Sequence, residues 1–367
     1  MALAHCAGKR ILILGGSGYM GKALCSRLLA AGASVTLVNR GQTADEFGEA
    51  TGLTRLRADR DDRASFRAAL TRAGDVDCAI DFSAFNPSHV ADAVGVLAGH
   101  VAHYIFISTN SVYQSDQHSD EAYDEAEAFD LPVPAAARSA YGWDKRGAEE
   151  VLVAAHAAGA FPATRLRIPA ICGPGDPTQR WLRYHLWIQS GHPVYSLKGA
   201  QDPSTGREPS YSACYSLDVV QAVLLAMQKG APTFGKAYHI CGKERLTIPQ
   251  LVRIMAASAG RPAEEGRSVL LTPSQASQLS EQERGMLAAW NPFDGANRQA
   301  STAKANAELG WVATPIKEWM GETVEWFLTP GQQDESSWPA DPPFLNQALM
   351  AKWYRNPSPP YPCSLLC

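Results

Sequence analysis

Tyr141 and Lys145 stand four residues apart, and the pair has the residue types and spacing of a proton-transfer site. On a helix, two residues with this spacing share one face. A lysine ammonium group beside a phenol lowers the pKa of the phenol and prepares it to exchange a proton with a carbinol or carbonyl oxygen. A hydroxyl group at Thr109, upstream, can hold the same oxygen. The pattern predicts Tyr141 as a general acid/base; the alternative is an exposed helical face without chemistry.

A glycine-rich loop is the second chemical feature, because residues 15–21 read Gly-Gly-Ser-Gly-Tyr-Met-Gly directly after an apolar run. Gly15 permits a tight turn, Gly18 lets a pyrophosphate approach the backbone, and Gly21 lets the following helix pack closely. The unpaired amides at the N-terminus of that helix bind phosphates. A second strand ends at Asn39, about 20 residues further on, as in dinucleotide-binding units. The loop therefore predicts a dinucleotide site rather than a plain turn, with contacts from Gly15, Ser17 and Gly18.

The residues after the second and third strands bear on the choice between NAD and NADP. An acidic side chain after the second strand accepts hydrogen bonds from the ribose hydroxyls of NAD, but Asn39 carries no charge. Arg40 can pair with the 2′-phosphate of NADP, although an exposed loop arginine is the alternative. Asp59 and Arg60 can bond the adenine amino group and flank its ring, or form a solvated charged turn. The sequence favours NADP and leaves NAD open.

Alternating strand and helix patterns in the first half of the chain position these residues. Apolar runs of strand length end just before the glycine loop, at Asn39 and at Ser108, and helical stretches separate them. Strands that alternate with helices form a parallel sheet with right-handed crossovers, and ligands bind beyond the carboxyl ends of its strands. The predicted fold is α/β, a Rossmann-type doubly wound parallel sheet with a smaller C-terminal α/β substrate domain.

The expected domain organisation has three parts. Residues 1–175 form a Rossmann domain for NAD(P), to which later segments return, and residues 176–329 form most of the substrate domain. The active site is expected in the cleft between these two domains. Residues 330–367 are rich in proline and are expected to form an extended tail.

The glycine loop, the segment 108–113 (Ser-Thr-Asn-Ser-Val-Tyr) and the Tyr141/Lys145 pair together resemble the extended short-chain dehydrogenase/reductases, the NAD-dependent epimerase/dehydratase family. The resemblance implies catalysis by Thr109, Tyr141 and Lys145, with hydride transfer between the nicotinamide and a secondary carbinol or ketone. It also suggests a homodimer. The cofactor site that it implies is lined by Tyr19, Met20, Phe82, Ser83, Ala84, Ser108, Tyr141, Lys145, Pro169 and Ile171.

Several positions depart from the family pattern. Dehydratases carry an acidic pair after the catalytic threonine, where this chain has Asn110 and Ser111, so we expect an epimerase or a reductase. Sugar-nucleotide enzymes of the family place arginines on the diphosphate around positions that resemble Tyr211 and Asn291 here. The alternative is that other arginines take their place, namely Arg180, Arg183, Arg207 and Arg298. The expected substrate is a small molecule that is sugar-like or a sugar nucleotide. The segment 38–41 also resembles a plastid branch of catalytically weak stem-loop RNA-binding proteins, which is the alternative function; the retained tyrosine–lysine pair favours an enzyme.

The overall composition bears on other functional classes. The 33 Lys+Arg and 37 Asp+Glu residues give a net charge of −4, and this balance, with the acid-rich segment 115–130, argues against a nucleic-acid partner. No apolar stretch reaches the length of a membrane span, and no signal peptide is recognisable, so a cytoplasmic location is expected. No metal site is predicted.

The cysteines before residue 330 are scattered singly. This pattern predicts buried reduced thiols at Cys6, Cys25, Cys78, Cys172, Cys214 and Cys241.

Overall fold

The computed structural model describes residues 3–42, 46–113, 140–159, 161–197, 210–293 and 300–329. The predicted tail at 330–367 and the acid-rich segment at 115–130 lie outside the described residues. The chain forms two compact units. Unit 1 takes the described parts of Met1–Ile171, Cys214–Lys243 and Ala300–Ala313, and unit 2 those of Cys172–Ala213, Glu244–Gln299 and Thr314–Cys367.

Unit 1 is built on a parallel sheet. Its strands are β1 (Arg10–Leu14), β2 (Ser34–Asn39), β3 (Leu53–Arg57), β4 (Cys78–Asp81), β5 (Tyr104–Thr109), β6 (Ala163–Ile168) and β10 (Ala237–His239). Its helices are α1 (Tyr19–Ala30), α2 (Arg63–Ala73), α3 (Pro87–Leu97), α4 (Ala140–Ala157) and α6 (Ser216–Lys229). The strand order β10-β6-β5-β4-β1-β2-β3 extends on both sides of β1 and confirms the predicted doubly wound Rossmann-type fold.

Both faces of this sheet are buried, as the continuous apolar runs indicate. Ile11 and Ile13 of β1 belong to a core shared with α1 and α6. Leu12 and Leu14, which alternate with them, belong to a second core shared with α2, α3 and α4. Since neither face of β1 can shift without disturbing a packed layer, the sheet is a rigid support for the loops at its carboxyl ends.

Unit 2 is smaller and mainly helical. Its helices are α5 (Arg180–Gln189), α7 (Ile248–Ser258), α8 (Pro273–Ser277), α9 (Glu281–Trp290) and α10 (Ile316–Leu328), and β8 (Val194–Ser196) pairs in parallel with β11 (Ser268–Leu270). Buried aromatic side chains, among them Trp181, Tyr184 and Trp319, fill its interior. The short strands β7 (Ala170–Cys172) and β9 (Ala213–Tyr215) lie where the chain passes from one unit to the other.

Three further expectations concern the chain as a whole. All six cysteines in the described residues are buried thiols rather than disulfides, as predicted. Among the described residues, no helix has both the length and the apolar character needed to cross a membrane. The same residues include no group of three or more His, Cys, Asp or Glu side chains placed to hold a metal ion.

Candidate active site

The glycine loop connects β1 to α1 in the way that its spacing predicts. Gly15 has a φ of +85°, and its amide donates to the Val38 carbonyl at 3.0 Å. A Cβ atom on Gly21 would lie 2.7 Å from the Cα of Gly16, so only glycine lets α1 pack against the loop. At Gly18, in contrast, the place of a Cβ atom is open to 4 Å. The loop is closed on its inner side and open at Gly18, where a pyrophosphate needs room.

The turn after β2 is held from two sides. The Asn39 Oδ1 accepts a hydrogen bond from the Gly41 amide at 2.9 Å, and Gly41 has a φ of +68°. On the other side, the Arg57 Nε donates to the Arg40 carbonyl at 3.0 Å. The Arg40 side chain is exposed and makes no hydrogen bond or ion pair with any residue that the structure describes. The turn therefore presents one cation at the carboxyl edge of the sheet.

A cavity of about 250 Å³ opens beside this turn, and all of its lining residues belong to unit 1. Its wall includes seven of the predicted cofactor residues, namely Gly15, Ser17, Asn39, Arg40, Asp59, Arg60 and Ser83. Phe66, Phe85 and His89 also line the cavity, although nothing in the sequence around them marks them. The glycine loop, the turn after β2 and the aromatic side chains line one cavity, which fits the adenosine half of a dinucleotide.

Arg60 does not form a solvated charged turn, because its side chain is buried in an ion pair with Asp81. Its Nη1 and Nη2 atoms each donate to a carboxylate oxygen of Asp81 at 2.7 Å. Burial by itself would raise the pKa of Asp81, but the charge and hydrogen bonds of Arg60 outweigh it and lower that pKa. The Asp81 carboxylate also accepts from the amides of Ser83 and Ala84 at 2.9 Å. The pair therefore fixes the backbone that follows β4.

Lys145 lies inside unit 1, at the inner side of α4. Its ammonium group donates to the carbonyls of Ala84 and Ile107, both at 2.7 Å, and lies 4.3 Å from the ring centroid of Phe106. Burial lowers the pKa of Lys145 to about 8, against the opposing charges of Asp81 and Glu149. The lysine therefore stays mostly protonated at neutral pH, in a place where its charge is poorly screened.

The two hydroxyl residues of the predicted triad lie at the outer end of the same region. Tyr141, one turn before Lys145 on α4, is 46% exposed, and its ring centroid lies 6.4 Å from that of Phe85. Thr109 ends β5 and is buried, and its Oγ1 accepts a hydrogen bond from the Ser111 amide at 3.1 Å. Since that oxygen acts as acceptor toward the backbone, the Thr109 hydroxyl keeps its own proton for another acceptor.

The other predicted cofactor residues lie in β5 or in segments that follow β1, β4 and β6 along the chain. Tyr19, Met20 and Phe82 are half-buried, as are Pro169 and Ile171 after β6. Ala84 is fully buried, and its carbonyl is the acceptor for Lys145 described above. Ser108 is also buried, but its hydroxyl donates to Glu149 at 2.5 Å and is used within the protein. The structure thus assigns Ser108 a role inside the core as well as its place beside Thr109.

A buried charge network behind the triad was not recognised from the sequence. Glu149, four residues after Lys145 on α4, accepts from Arg167 at 2.7 Å and from Arg165 at 3.2 Å. Arg167 also donates to the Tyr113 hydroxyl at 2.7 Å, and Tyr113 in turn bonds the imidazole of His239. Tyr113 ends the 3-10 turn Asn110–Tyr113 that follows Thr109. The sign of this network in the sequence is Arg167, a charged residue between Leu166 and Ile168.

Tyr211 and Asn291, the two positions at which the resemblance leads us to expect arginines in sugar-nucleotide enzymes, are buried in unit 2. The ring of Tyr211 stacks on Phe293, with 4.6 Å between centroids. The Asn291 Oδ1 accepts from the Tyr184 hydroxyl at 2.6 Å, and its Nδ2 donates to the Tyr195 carbonyl at 3.1 Å. Neither residue carries a positive charge, and the Asn291 amide is already used within the unit.

Comparison with known proteins gives a consistent family. A model of the NAD dependent epimerase/dehydratase family matches residues 11–241. A curated relative, the 2-alkyl-3-oxoalkanoate reductase of Stenotrophomonas maltophilia, is 28% identical over 267 residues, which are 69% of this chain and 76% of the relative. The protein of the same name from Shewanella oneidensis is 27% identical over 273 residues, 68% of this chain and 66% of the relative, just under two thirds of its length.

Solved structures share the fold at low sequence identity. An epimerase from Methanothermobacter thermautotrophicus superposes with a TM-score of 0.66 at 15% identity, covering 89% of this chain and 94% of that one. The UDP-glucuronic acid 4-epimerase of Bacillus cereus, solved in complex with NAD, gives 0.65 at 18% identity, with 86% and 97% covered. Identities this low establish the fold alone.

Proposed function

Because the chain belongs to the NAD dependent epimerase/dehydratase family, we propose that it transfers a hydride between C4 of a nicotinamide cofactor and the carbon of a secondary carbinol or ketone. The observation that carries the proposal is the position of Ser83 and Ala84. Ser83 lines the dinucleotide cavity, and the Ala84 carbonyl accepts a hydrogen bond from the Lys145 ammonium group. The candidate catalytic lysine is thus bonded to the residue that directly follows one of the cavity-lining residues.

Tyr141, Lys145 and Thr109 each have a separate role in the proposed proton transfer. A bound nicotinamide supplies the hydride in the reductive direction and accepts it in the oxidative one. As the ketone is reduced, the Tyr141 hydroxyl gives its proton to the ketone oxygen and becomes a phenolate. Lys145, with its pKa lowered to about 8 by burial, is still mostly protonated at neutral pH and stabilises that phenolate. Thr109 donates its hydroxyl proton in a hydrogen bond to the same substrate oxygen.

The proposed cofactor is NADP rather than NAD. Asn39 keeps the hydrogen bond to Gly41 that shapes the turn, without the negative charge that would repel a phosphate. The exposed Arg40 on that turn supplies a cation for the 2′-phosphate. An NAD-specific site instead places a carboxylate near the ribose hydroxyls.

The proposed substrate is a ketone without a diphosphate, such as a 3-oxoalkanoate. Tyr211 and Asn291 stand where sugar-nucleotide enzymes of the family hold the diphosphate with arginines, and both are buried without positive charge. The curated relatives are named as reductases of 2-alkyl-3-oxoalkanoates, which agrees with this choice. The second candidate is epimerisation of a sugar nucleotide. The segment 173–176 (Gly-Pro-Gly-Asp), which also resembles the family pattern and whose Asp176 is buried, favours it.

An isotope-transfer assay separates the two candidates. The purified full chain is incubated with NADPH deuterated at C4 and either a 2-alkyl-3-oxoalkanoate or UDP-glucuronic acid. The masses of the products are then measured by mass spectrometry. The proposal predicts a 3-hydroxy acid with one deuterium on the carbinol carbon for each NADPH consumed. Epimerised UDP-sugar without net NADPH consumption supports the second candidate. If neither substrate changes, both substrate assignments are wrong.

A further inference from the structure

We propose that Arg57 is a second determinant of cofactor choice and forms, with Arg40, a two-arginine clamp for the 2′-phosphate of NADP. The inference rests on the proposed use of NADP and assigns it to a residue outside the glycine loop and the turn after β2. Arg57 is the last residue of β3, the edge strand of the sheet.

The register of the sheet brings Arg57 to the cofactor end of the strands. β2 and β3 pair in parallel, with Asn39 opposite Arg57. Parallel strands end at the same edge, so the side chain of Arg57 starts from the level of the residue expected to meet the ribose. A Cβ atom on Gly41 would lie 3.2 Å from the Arg57 Nε, so this side chain runs along the turn that carries Arg40.

The hydrogen bond made by the Arg57 Nε leaves the two terminal nitrogens of the guanidinium group available to a phosphate. Its Nε donates to the Arg40 carbonyl at 3.0 Å, which fixes the plane of the group against the turn. Its terminal nitrogens make no hydrogen bond or ion pair with any part of the chain that the structure describes, and the residue is exposed. An arginine held by one N–H still offers donors in the fork geometry that suits phosphate oxygens.

The charges around the turn leave the two arginines without a protein counter-ion. Asp59 and Asp61 are the nearby carboxylates that line the cavity. Asp59 accepts from the Asp61 amide at 3.0 Å, and Asp61 accepts from the His89 imidazole at 2.9 Å. Within the described residues, no carboxylate pairs with Arg40 or Arg57. Two uncompensated guanidinium groups beside one rigid turn suit a dianion such as a ribose 2′-phosphate.

Binding of adenosine fragments tests the clamp independently of hydride transfer. Calorimetric titrations of the full chain with 2′,5′-ADP and with 5′-AMP compare ligands that differ only in the 2′-phosphate. Arg57→Ala is expected to weaken 2′,5′-ADP binding by about tenfold and to leave 5′-AMP binding within about twofold, as expected for a lost charge-assisted bond. Arg40→Ala should act in the same way.

Arg55→Ala is the matched control. Arg55 lies two residues earlier on β3, on the same face of the strand, and its Nη2 donates to the Gly48 carbonyl at 2.7 Å instead of to the Arg40 turn. Removal of this charge should leave both affinities within about twofold. Equal weakening of both fragments by Arg57→Ala, or no weakening of either, would overturn the clamp, as would a wild type without preference for 2′,5′-ADP. The proposed hydride transfer is judged separately, by deuterium transfer from NADH or NADPH.

Discussion

At Asn39, the difference between an amide and a carboxylate separates two cofactors. The Asn39 Oδ1 already accepts a hydrogen bond from the Gly41 amide, and an aspartate keeps that bond. Asn39→Asp should therefore preserve the turn and add a negative charge beside the 2′-phosphate. We expect NADPH to bind about tenfold more weakly or worse, while NADH binds at least as well as before. Fluorescence titration of both cofactors measures the change.

NADH serves as the internal reference in this experiment, because it lacks the 2′-phosphate. A loss of NADH affinity equal to the loss of NADPH affinity would mean that the substitution damaged the turn. Unchanged affinity for both would show that the adenosine ribose does not lie at Asn39.

Single residues also show where sequence reasoning reaches its limit. Asn39 and Arg40 were predicted as cofactor contacts from their place after the second strand, and both line the cavity. Arg60 was read as an adenine contact or a solvated turn, and its buried pairing with Asp81 went unseen. Arg60 and Asp81 are 21 positions apart in the sequence. They come into contact only once the sheet has formed with the order β4-β1-β2-β3. No local pattern marks such a contact.

At the scale of the elements, Glu149 joins α4 to β6, and the stability of unit 1 depends on its charge. Burial alone would raise the pKa of Glu149, but Arg167 and Arg165 outweigh burial and lower it to about 2 from 4.5. The carboxylate therefore contributes stability above pH 4.5 that is lost as the pH falls through that value toward 2. The shift corresponds to on the order of 3 kcal/mol of unfolding free energy at neutral pH.

Glu149→Gln should lower the unfolding free energy at pH 7 by about 3 kcal/mol or more, because it leaves two buried guanidinium groups without their carboxylate. Denaturant unfolding at pH 7 measures the loss, and the same series toward pH 3 should show a flatter pH dependence than the wild type. Glu150→Gln is the matched control, since its side chain is 58% exposed and pairs with Arg146 at 3.4 Å. It should cost less than about 1 kcal/mol. Equal losses for the two variants would refute the role given to Glu149.

The strands and helices of the first half could be predicted because their sequence patterns agree with their final burial. β1, β4 and β5 are buried on both faces and read as continuous apolar runs. β6 was missed because Arg165 and Arg167 break its apolar run, and only the contact with Glu149 makes their burial tolerable. β7, β8 and β9 have three residues each, which is too short for a periodic pattern.

At the scale of the molecule, family and general chemistry were accessible from the sequence, while the substrate was not. The glycine loop, the hydroxyl at the end of β5 and the tyrosine–lysine pair all lie within residues 11–241, which the family model matches. The proposed substrate rests on Tyr211 and Asn291, whose burial and partners in unit 2 cannot be read from the sequence. The net charge of −4 agrees with an enzyme rather than an RNA-binding protein.

The central claim is that Tyr141 exchanges the carbinol proton during hydride transfer, and its removal is the most direct test. Tyr141→Phe deletes only the hydroxyl of a residue that is 46% exposed and should leave folding and NADPH affinity nearly unchanged. Single-turnover transfer of deuterium from labelled NADPH to the ketone should then slow by about 10² to 10⁴, as expected for a lost general acid. A rate near that of the wild type, with cofactor and substrate bound normally, would contradict the assignment and move the acid/base role to another hydroxyl, with Thr109 the first to examine.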